Sequence, residues 1–167
     1  MNNKLTRKDI EKMQAEIDHR ILVERPRLLE EVKETRAQGD LSENFEYHAA
    51  KRDKNKNESR IRFLQRMIKT ASIIEDDTAE NEVGINKKVT VYIPEDDEEE
   101  TYIFVSTMRQ NSLGGLISIE SPMGKALLHH KVGDTVHVRV SADYAYPVVI
   151  RKVEETDEAE NAALRGF

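Results

Sequence analysis

The first half of the chain carries apolar residues at helical spacing. Between residues 5 and 37 they recur every three, four or seven positions, which predicts one long helix with a narrow apolar stripe. The stripe consists of Ile10, Met13, Ile17, Ile21, Leu28 and Val32. Pro26 interrupts the pattern, so we expect a kink or a new helix start there, with Arg25 outside ideal helix geometry. Gly39 then suits a helix end.

A second helical pattern follows the turn around Gly39. Its positions step strictly by three and four residues, which is a heptad seam. The seam consists of Tyr47, Ala50, Lys54, Asn57, Ile61, Leu64, Ile68 and Ala71. Two helices of about 30 residues joined by a short turn pack antiparallel. Residues 1–75 are therefore predicted to form an antiparallel coiled-coil hairpin about 45 Å long, with the turn as its tip.

Beyond a predicted linker at residues 76–82, the apolar residues alternate with polar ones, which is typical of strands. Strands are predicted at residues 88–93, 102–105, 116–119, 135–140 and 147–150. The acidic run 94–100 is too charged for a strand in this pattern and predicts a hairpin loop. Ser121 followed by Pro122 predicts the start of a short helix.

These patterns together predict an α+β protein. A long helical hairpin is followed by a small antiparallel sheet domain with one short helix at residues 83–153. Residues 154–167 are acidic and small, and we expect them to form a frayed tail.

Composition narrows the class of protein. The chain has 167 residues and no cysteine, which excludes a disulfide framework and cysteine-based zinc sites. It has no apolar run long enough to span a membrane and no secretory signal, so we expect a cytoplasmic protein. Residues 1–75 carry 17 Lys and Arg against 14 Asp and Glu, whereas residues 76–167 carry 9 against 18. The basic half fits either a nucleic-acid or acidic-channel surface or a merely solvated helix.

Candidate chemistry lies at the turn between the helices, where Asp40 and Glu43 are three residues apart. An acidic N-cap with a glutamate three residues later is typical of a capping box, and both charges favour the helix dipole. The alternative is metal or water handling, because Mg²⁺ is often held by one or two carboxylates plus water and phosphate oxygens. On that interpretation another macromolecule supplies the remaining ligands.

The stretch GDLSENFEYHAAK at residues 39–51 resembles the tip signature of bacterial Gre-type (GreA/GreB) transcript cleavage factors. The similarity returns at residues 58–61, 119–128 and 131–134, and it covers residues 5 to about 153 in the same order. The resemblance implies an N-terminal antiparallel coiled coil and a C-terminal FKBP-like domain. It also implies a transcription elongation factor that binds RNA polymerase and inserts its coiled coil into the secondary channel.

The resemblance assigns roles to individual residues. Asp40 and Glu43 match the catalytic acidic pair, which shares a Mg²⁺ ion only in the polymerase active centre and promotes cleavage of the backtracked RNA 3′ end. The RNA or the channel wall is contacted by Tyr47, Lys51 and Arg52, and the polymerase is bound through Ser121, Pro122 and Met123. The isolated protein is then a metal-free cytoplasmic monomer. It is not an enzyme itself, because it stimulates a reaction of the polymerase.

Two departures from the family pattern keep an alternative open. Residues 51–57 are more basic and polar than is usual, and Phe45 stands where a small residue is common. A Gre-like protein that occupies the channel and regulates transcription without cleavage is therefore the second hypothesis. A coiled-coil scaffold unrelated to polymerase is the third.

Overall fold

The computed structural model describes residues 3–39 and 44–166. The chain divides into two compact units. The first is built chiefly of Ile10–Ala71, and the second of Ser72–Gly166 together with Lys4–Asp9. Within the described ranges, no helix is both long and apolar enough to cross a membrane.

The helical unit follows a short strand, β1 (Asn3–Leu5). Its first arm comprises α1 (Arg7–His19), a π turn (Arg20–Glu24) and α2 (Arg25–Arg36), and its second arm is α3 (Phe45–Lys69). A strand β2 (Ala71–Ile73) follows and pairs with β1. The arms run antiparallel, because contacts to α3 move towards its N-terminus as the first arm proceeds. The hairpin is therefore as predicted, but its first arm is not a single α-helix.

Pro26 is accommodated by the π turn that precedes it. The backbone N–H of Arg25 bonds to the carbonyl of Arg20, five residues earlier, and Arg25 itself has φ −58° and ψ −51°. The expectation that Arg25 leaves helical geometry is therefore wrong. A π turn holds one extra residue and widens the helix. In a regular α-helix the proline ring would clash with the carbonyl of the preceding turn, so the widening replaces a break.

The buried side chains of α3 follow the predicted seam. The buried apolar residues of the two arms are Met13, Ile17, Leu28, Tyr47, Ala50, Ile61 and Leu64. Each is apolar or aromatic and falls on one face of its helix, so the hydrophobic effect favours pairing of the arms along this line.

A polar layer, made of Glu16, Arg20, Asn57 and Arg60, interrupts this apolar core. Asn57 and Arg60 are only 4% and 7% exposed. Arg60 donates from Nε and Nη2 to the Glu16 carboxylate at 2.7 and 3.2 Å, and Arg20 donates to the same carboxylate at 2.7 Å. Arg20 also donates to Asn57 Oδ1 at 2.9 Å. The layer satisfies its own polar groups, which makes their burial tolerable.

The second unit is a five-stranded sheet with one helix. Its elements are β3 (Lys88–Ile93), β4 (Glu98–Val105), β5 (Leu116–Ser118), α4 (Pro122–Leu127), β6 (Thr135–Arg139) and β7 (Ala145–Glu154). The strand order is β5-β4-β3-β7-β6. The core contains Val89, Val91, Phe104, Leu127, Val138, Val148 and Ile150. All five predicted strands and the predicted helix are present.

The prediction of an antiparallel sheet is wrong at one edge. Strand β5 pairs parallel to β4, with Ile103 opposite Leu116, so the sheet is mixed. The chain between β4 and β5 contains two 3₁₀ turns, Thr107–Arg109 and Ser112–Gly114. These turns reverse the chain direction a second time, so β5 runs the same way as β4. Such turns have no apolar periodicity, so the strand pattern alone does not reveal them.

The acidic run is also partly a strand, which corrects the prediction of a loop over residues 94–100. Glu98, Glu99 and Glu100 pair with β3, and only the four residues before Glu98 form the turn. Glu99 lies 3.4 Å from Arg151, whose guanidinium covers the ring of Tyr92 at 4.3 Å. Counter-charges on the exposed face of the sheet allow a charged sequence to remain in a strand.

The C-terminal segment, residues 155–166, packs on the second unit and is not a frayed tail. Ala159 is 2% exposed and joins an apolar cluster with Ile103 and Val105. The backbone N–H of Arg165 donates to the carbonyl of Met108 at 2.7 Å. The prediction failed because it relied on composition, whereas one small apolar residue and backbone hydrogen bonds hold the segment.

Candidate functional site at the hairpin tip and on the C-terminal unit

The predicted acidic pair belongs to the turn that joins α2 to α3. Helix α2 ends at Arg36, and Gly39, with φ +114°, is the last described residue before the tip. Asp40 and Glu43 lie outside the described residues. Thr35, Arg36 and Gly39 precede the turn in sequence, and Asn44 and Phe45 follow it.

Asn44 connects the two helix ends that enclose the tip. Its Oδ1 accepts from the backbone N–H of Tyr47 at 2.9 Å, and its Nδ2 donates to the backbone carbonyl of Thr35 at 2.7 Å. Asn44 is therefore the N-cap of α3, and Asp40 is not, which corrects the capping-box interpretation. Asparagine is among the best N-cap residues, so the signal was present in the sequence. The Asp–x–x–Glu spacing suggested a helix start four residues too early.

Tyr47 is a packing residue. It is only 7% exposed, its hydroxyl accepts a hydrogen bond from Arg36 Nη2 at 3.4 Å, and the Arg36 guanidinium lies 5.7 Å from its ring centroid. The hydrogen bond from Arg36 holds the pKa of the Tyr47 hydroxyl below its usual range. The structure thus leaves little of this ring available to RNA, although the sequence predicted such a contact.

Lys51 and Arg52, the other two predicted contacts, are exposed on α3. Lys56 is exposed on the same helix, and so is Phe45, whose ring is 84% exposed. Cations are therefore exposed near the tip together with the ring of Phe45, and contact of Lys51 and Arg52 with RNA or the channel wall stays a prediction.

The predicted polymerase contacts lie at the start of α4. Ser121 caps this helix by accepting from the N–H of Gly124 at 3.0 Å, and its own hydroxyl donates to the carbonyl of Ser118 at 2.6 Å. Glycine is required at 124, because a Cβ there would lie 2.4 Å from the carbonyl oxygen of Ser118. The cap and the close approach together fix Pro122 and Met123 at the surface of the unit.

Ser121, Pro122 and Met123 line a largely apolar cavity of about 230 Å³. The other lining residues are Tyr102, Ile117, Val138, Val140 and Tyr146. Burial raises the pKa of the Tyr146 hydroxyl, and the charges of Asp96 and Glu95 raise it further. An apolar pocket with negative charge beside it suits an apolar side chain carried by a cationic segment.

Comparison with known proteins identifies the family. Residues 3–73 match a family model described as the N-terminal part of a transcription elongation factor, and residues 78–155 match the GreA/GreB C-terminal part. The chain is also 40% identical to transcription elongation factor GreA of Oenococcus oeni over 152 residues, which is 90% of this chain and 94% of that protein. The chain belongs to the GreA/GreB family of transcription elongation factors.

Two further proteins align over most of this chain. GreA of Streptococcus pneumoniae is 40% identical over 153 residues, covering 91% of this chain and 95% of its own. A solved structure of GreA factor homolog 1 from Thermus thermophilus aligns with 25% identity and a TM-score of 0.43, over 92% of this chain and 99% of that one. The C-terminal segment extends beyond the part that the GreA/GreB models match.

The described residues of this GreA/GreB-family chain contain no group of three or more His, Asp or Glu side chains arranged to hold a metal ion. Asp40 and Glu43 fall outside that search. Two carboxylates leave most of the octahedral coordination of Mg²⁺ to other ligands. Such a pair suits a metal that a partner also holds.

Proposed function

We propose that this protein binds bacterial RNA polymerase and stimulates Mg²⁺-dependent cleavage of the 3′ end of backtracked RNA. The C-terminal unit, which we assign as FKBP-like, docks through Ser121, Pro122 and Met123 beside the apolar cavity. The hairpin, which we assign as an antiparallel coiled coil, enters the secondary channel. The protein acts as a cytoplasmic monomer.

In this proposal Asp40 and Glu43 are the residues that handle the metal. They help hold the second Mg²⁺ in the polymerase active centre and orient the attacking water. Two-metal hydrolysis places one ion on each side of the in-line displacement, so the polymerase supplies the first ion and most ligands of the second. The isolated protein then needs no metal of its own, and the polymerase remains the enzyme.

The observation that supports this role best is the Asn44 cap. Because Asn44 satisfies the first turn of α3, the acidic pair is not needed as the cap of that helix. Two carboxylates at a turn that do not form the cap require another explanation, and metal handling in a partner's active centre provides one. The hydrogen bond from Asn44 Nδ2 to the Thr35 carbonyl also ties the start of α3 to the end of α2.

The test is transcript cleavage by a stalled, backtracked polymerase complex with Asp40→Asn, Glu43→Gln and Glu46→Gln variants. Glu46 is an exposed acid in the first turn of α3, so it is a matched control for loss of one charge. We expect cleavage to fall by about 100-fold or more in the first two variants and little in the third, since a metal contributes several kcal/mol to the transition state. All three variants should melt like the parent.

The experiment also decides between the two channel-binding hypotheses. A parent protein that binds polymerase without any cleavage would contradict the proposal and leave a channel-occupying regulator. A parent that does not bind polymerase would contradict both. Equal loss of cleavage in the Glu46→Gln variant would show that general negative charge, and not the acidic pair, carries the effect.

A further inference from the structure

Four apolar residues on the first arm of the hairpin are exposed to solvent. Leu22 and Val23 lie in the π turn and are 73% and 51% exposed, and Leu29 on α2 is 47% exposed. Pro26 lies between them in the sequence and is also exposed. We call these four residues the outer patch. Clustered apolar side chains that remain in water favour a surface that covers them.

The outer patch is held in one conformation from behind. Arg25 donates from Nε and Nη2 to the two carboxylate oxygens of Glu58, each at 2.9 Å, which fastens the middle of the patch to α3. The backbone N–H of Arg25 also closes the π turn on the carbonyl of Arg20. Bidentate arginine–carboxylate contacts fix orientation as well as distance. A partner therefore meets a preformed surface, and little conformational entropy is lost on binding.

The sequence of the first arm is self-complementary about the middle of the outer patch. In an antiparallel pairing of two copies centred between Arg25 and Pro26, each residue faces the one at equal distance beyond the centre. Leu22 then faces Leu29 of the second copy, and by symmetry each such contact occurs twice. Residues 18–33 oppose no two like charges in this register, and at its ends an aspartate faces a lysine.

The aspartate and the lysine lie in line with the outer patch. Five exposed residues follow one another at steps of four, four, three and four, slightly longer than the α-helical repeat, as expected where a π turn interrupts the line. They are Asp18, Leu22, Pro26, Leu29 and Lys33. Within the part of the chain that the structure describes, Asp18 accepts only a hydrogen bond from Gln14 at 3.0 Å, and Lys33 has no ion-pair partner. Both charges are therefore available to a second copy.

We infer that two copies of this chain pair antiparallel through their outer patches, about a two-fold axis between Arg25 and Pro26. A two-fold interface needs only one self-complementary surface, which this arm provides. Four apolar side chains per copy form a small interface, so the pairing is weak and depends on protein concentration. A consequence rests on the proposed function: pairing covers the first arm, so the paired form stays out of a channel that admits one hairpin, and the monomer is the active form.

The first measurement is sedimentation equilibrium of the full chain from about 1 μM to about 1 mM, a range that spans weak association. We expect the average mass to rise from that of one chain towards that of two. Leu22→Asp places a charge opposite Leu29 of the second copy and should weaken pairing about 10-fold or more. Leu113→Asp is the matched control, because Leu113 is fully exposed in the other unit. Both variants should melt like the parent, since each alters an exposed side chain.

Exchange of charges tests the register. Asp18→Lys sets lysine against lysine at both ends of the interface, and Lys33→Asp sets aspartate against aspartate, so each variant alone should pair about 10-fold or more weakly. An equimolar mixture of the two variants should pair like the parent, because every lysine then faces an aspartate. Glu34→Lys is the control, since it makes the same change of charge on this arm but faces Ile17.

A cysteine at the two-fold axis reports the geometry directly. The chain contains no cysteine, so Pro26→Cys would introduce the only one, and the two copies of this position lie side by side across the axis. A disulfide forms only where the two Cα atoms approach within about 7 Å. Mild oxidation should therefore join Pro26→Cys into a covalent dimer. Glu46→Cys, at an exposed position on α3, should remain monomeric under the same conditions.

The outcomes distinguish this inference from the proposed function. A constant mass at all concentrations, or equal pairing of Leu22→Asp and Leu113→Asp, would overturn the paired form even if the parent cleaves transcripts. Failure of the mixed charge variants to pair would show a different interface and would also overturn it. If the parent never pairs and Leu22→Asp loses polymerase binding, the outer patch faces polymerase and the inference is wrong. Pairing by a parent that cleaves nothing would support the paired form and contradict the proposed function.

Discussion

Arg109 and Asp9 form a buried ion pair across 100 positions of sequence. The guanidinium Nε donates to the carboxylate at 2.8 Å, and the two side chains are 3% and 4% exposed. The other Asp9 oxygen accepts from the backbone N–H of Thr6 at 2.9 Å, while the Thr6 hydroxyl accepts from the N–H of Asp9 at 3.1 Å. The pair therefore supports a capping box at the start of α1.

Removal of one member of this pair should destabilise the second unit. We expect Arg109→Met to cost about 3–5 kcal/mol of unfolding free energy, because it leaves the Asp9 charge buried without its ion-pair partner. The double variant Asp9→Leu, Arg109→Met should cost less than that single change. Urea unfolding, monitored by hydrogen exchange in the second unit, measures the loss of unfolding free energy in both variants. A double variant that is less stable than Arg109→Met would contradict the explanation by uncompensated charge.

The polar layer makes the stability of the hairpin depend on pH. Burial disfavours the charged form of Glu16, but hydrogen bonds from Arg60 and Arg20 outweigh it and lower the pKa of this carboxyl. The stabilisation of the folded hairpin by ionised Glu16 is therefore complete above the unfolded-state pKa of about 4.3. It is lost as pH falls through the lower pKa of the folded state. Thermal unfolding between pH 7 and pH 3 should show a loss that Glu16→Gln largely removes.

At pH 7 the Glu16→Gln variant should itself be less stable by about 1.5–3 kcal/mol, since charged hydrogen bonds to Arg60 are lost. Glu31→Gln is the control, because Glu31 forms an exposed pair with Arg27 and should contribute less than about 0.5 kcal/mol. If both variants show the same pH profile, the polar layer is not the titrating element.

The two hydrogen bonds of Asn44 can be separated by substitution. Asp caps a helix about as well as Asn but has no amide N–H to donate to the Thr35 carbonyl. Asn44→Asp should keep slow hydrogen exchange at the Tyr47 amide, whereas Asn44→Ala should lose it and cost about 1 kcal/mol. Equal exchange at Tyr47 in both variants would show that the cap contributes nothing to the order of this turn.

Because the C-terminal segment packs on the second unit, a substitution at its buried position should destabilise the unit. Substitutions at its exposed positions should have little effect. Ala159→Asp places a carboxylate in the apolar cluster with Ile103 and Val105 and should destabilise the unit by at least about 2 kcal/mol. Ala163→Asp adds the same charge at an exposed position and should be nearly neutral. Thermal melts of the pair test this, and equal effects would indicate that only added charge matters.

Lys87 is a buried cation that donates hydrogen bonds to oxygen atoms of residues 78–82. Its Nζ donates to the hydroxyl of Thr78 at 2.9 Å and to the carbonyls of Ala79 and Glu82 at 2.7 and 3.3 Å, while the residue is 2% exposed. Lys87→Met should cost about 2–3 kcal/mol and increase hydrogen exchange at residues 76–82. Lys88→Met removes a more exposed pair with Glu158 and is the control. Unchanged hydrogen exchange at residues 76–82 in the Lys87→Met variant would contradict the idea that Lys87 holds this segment in place.

Apolar periodicity was sufficient to predict the regular elements. The seam of α3 and strand β3 were predicted correctly because burial selects apolar side chains at the helix or strand repeat. The parallel pairing of β5 was not, since pairing direction depends on the intervening turns. The docked C-terminal segment was also missed, because Arg109 binds the backbone carbonyls of Ala159, Glu160 and Ala162, and carbonyls leave no trace in the side-chain sequence.

For the candidate site, the sequence predicted which residues lie there more readily than it predicted what each side chain does. Lys51 and Arg52 are exposed, and their contact with RNA or the channel wall stays a prediction. Tyr47 was assigned to RNA contact although its place in the heptad seam already predicted burial. The competing requirement of packing was therefore visible in the sequence. The polar layer was harder to predict, because Arg60 pairs with Glu16, which lies on another helix 44 residues earlier in the sequence.

The Asn44 cap has an evolutionary consequence. Since one residue secures the start of α3, the acids of the preceding turn are free to diverge without loss of the hairpin. A descendant that lost Asp40 or Glu43 would still fold, would still present its C-terminal unit and would compete with the ancestor for the same partner. If Asp40 and Glu43 promote cleavage as proposed, an activator and its antagonist are separated by only one or two nucleotide changes.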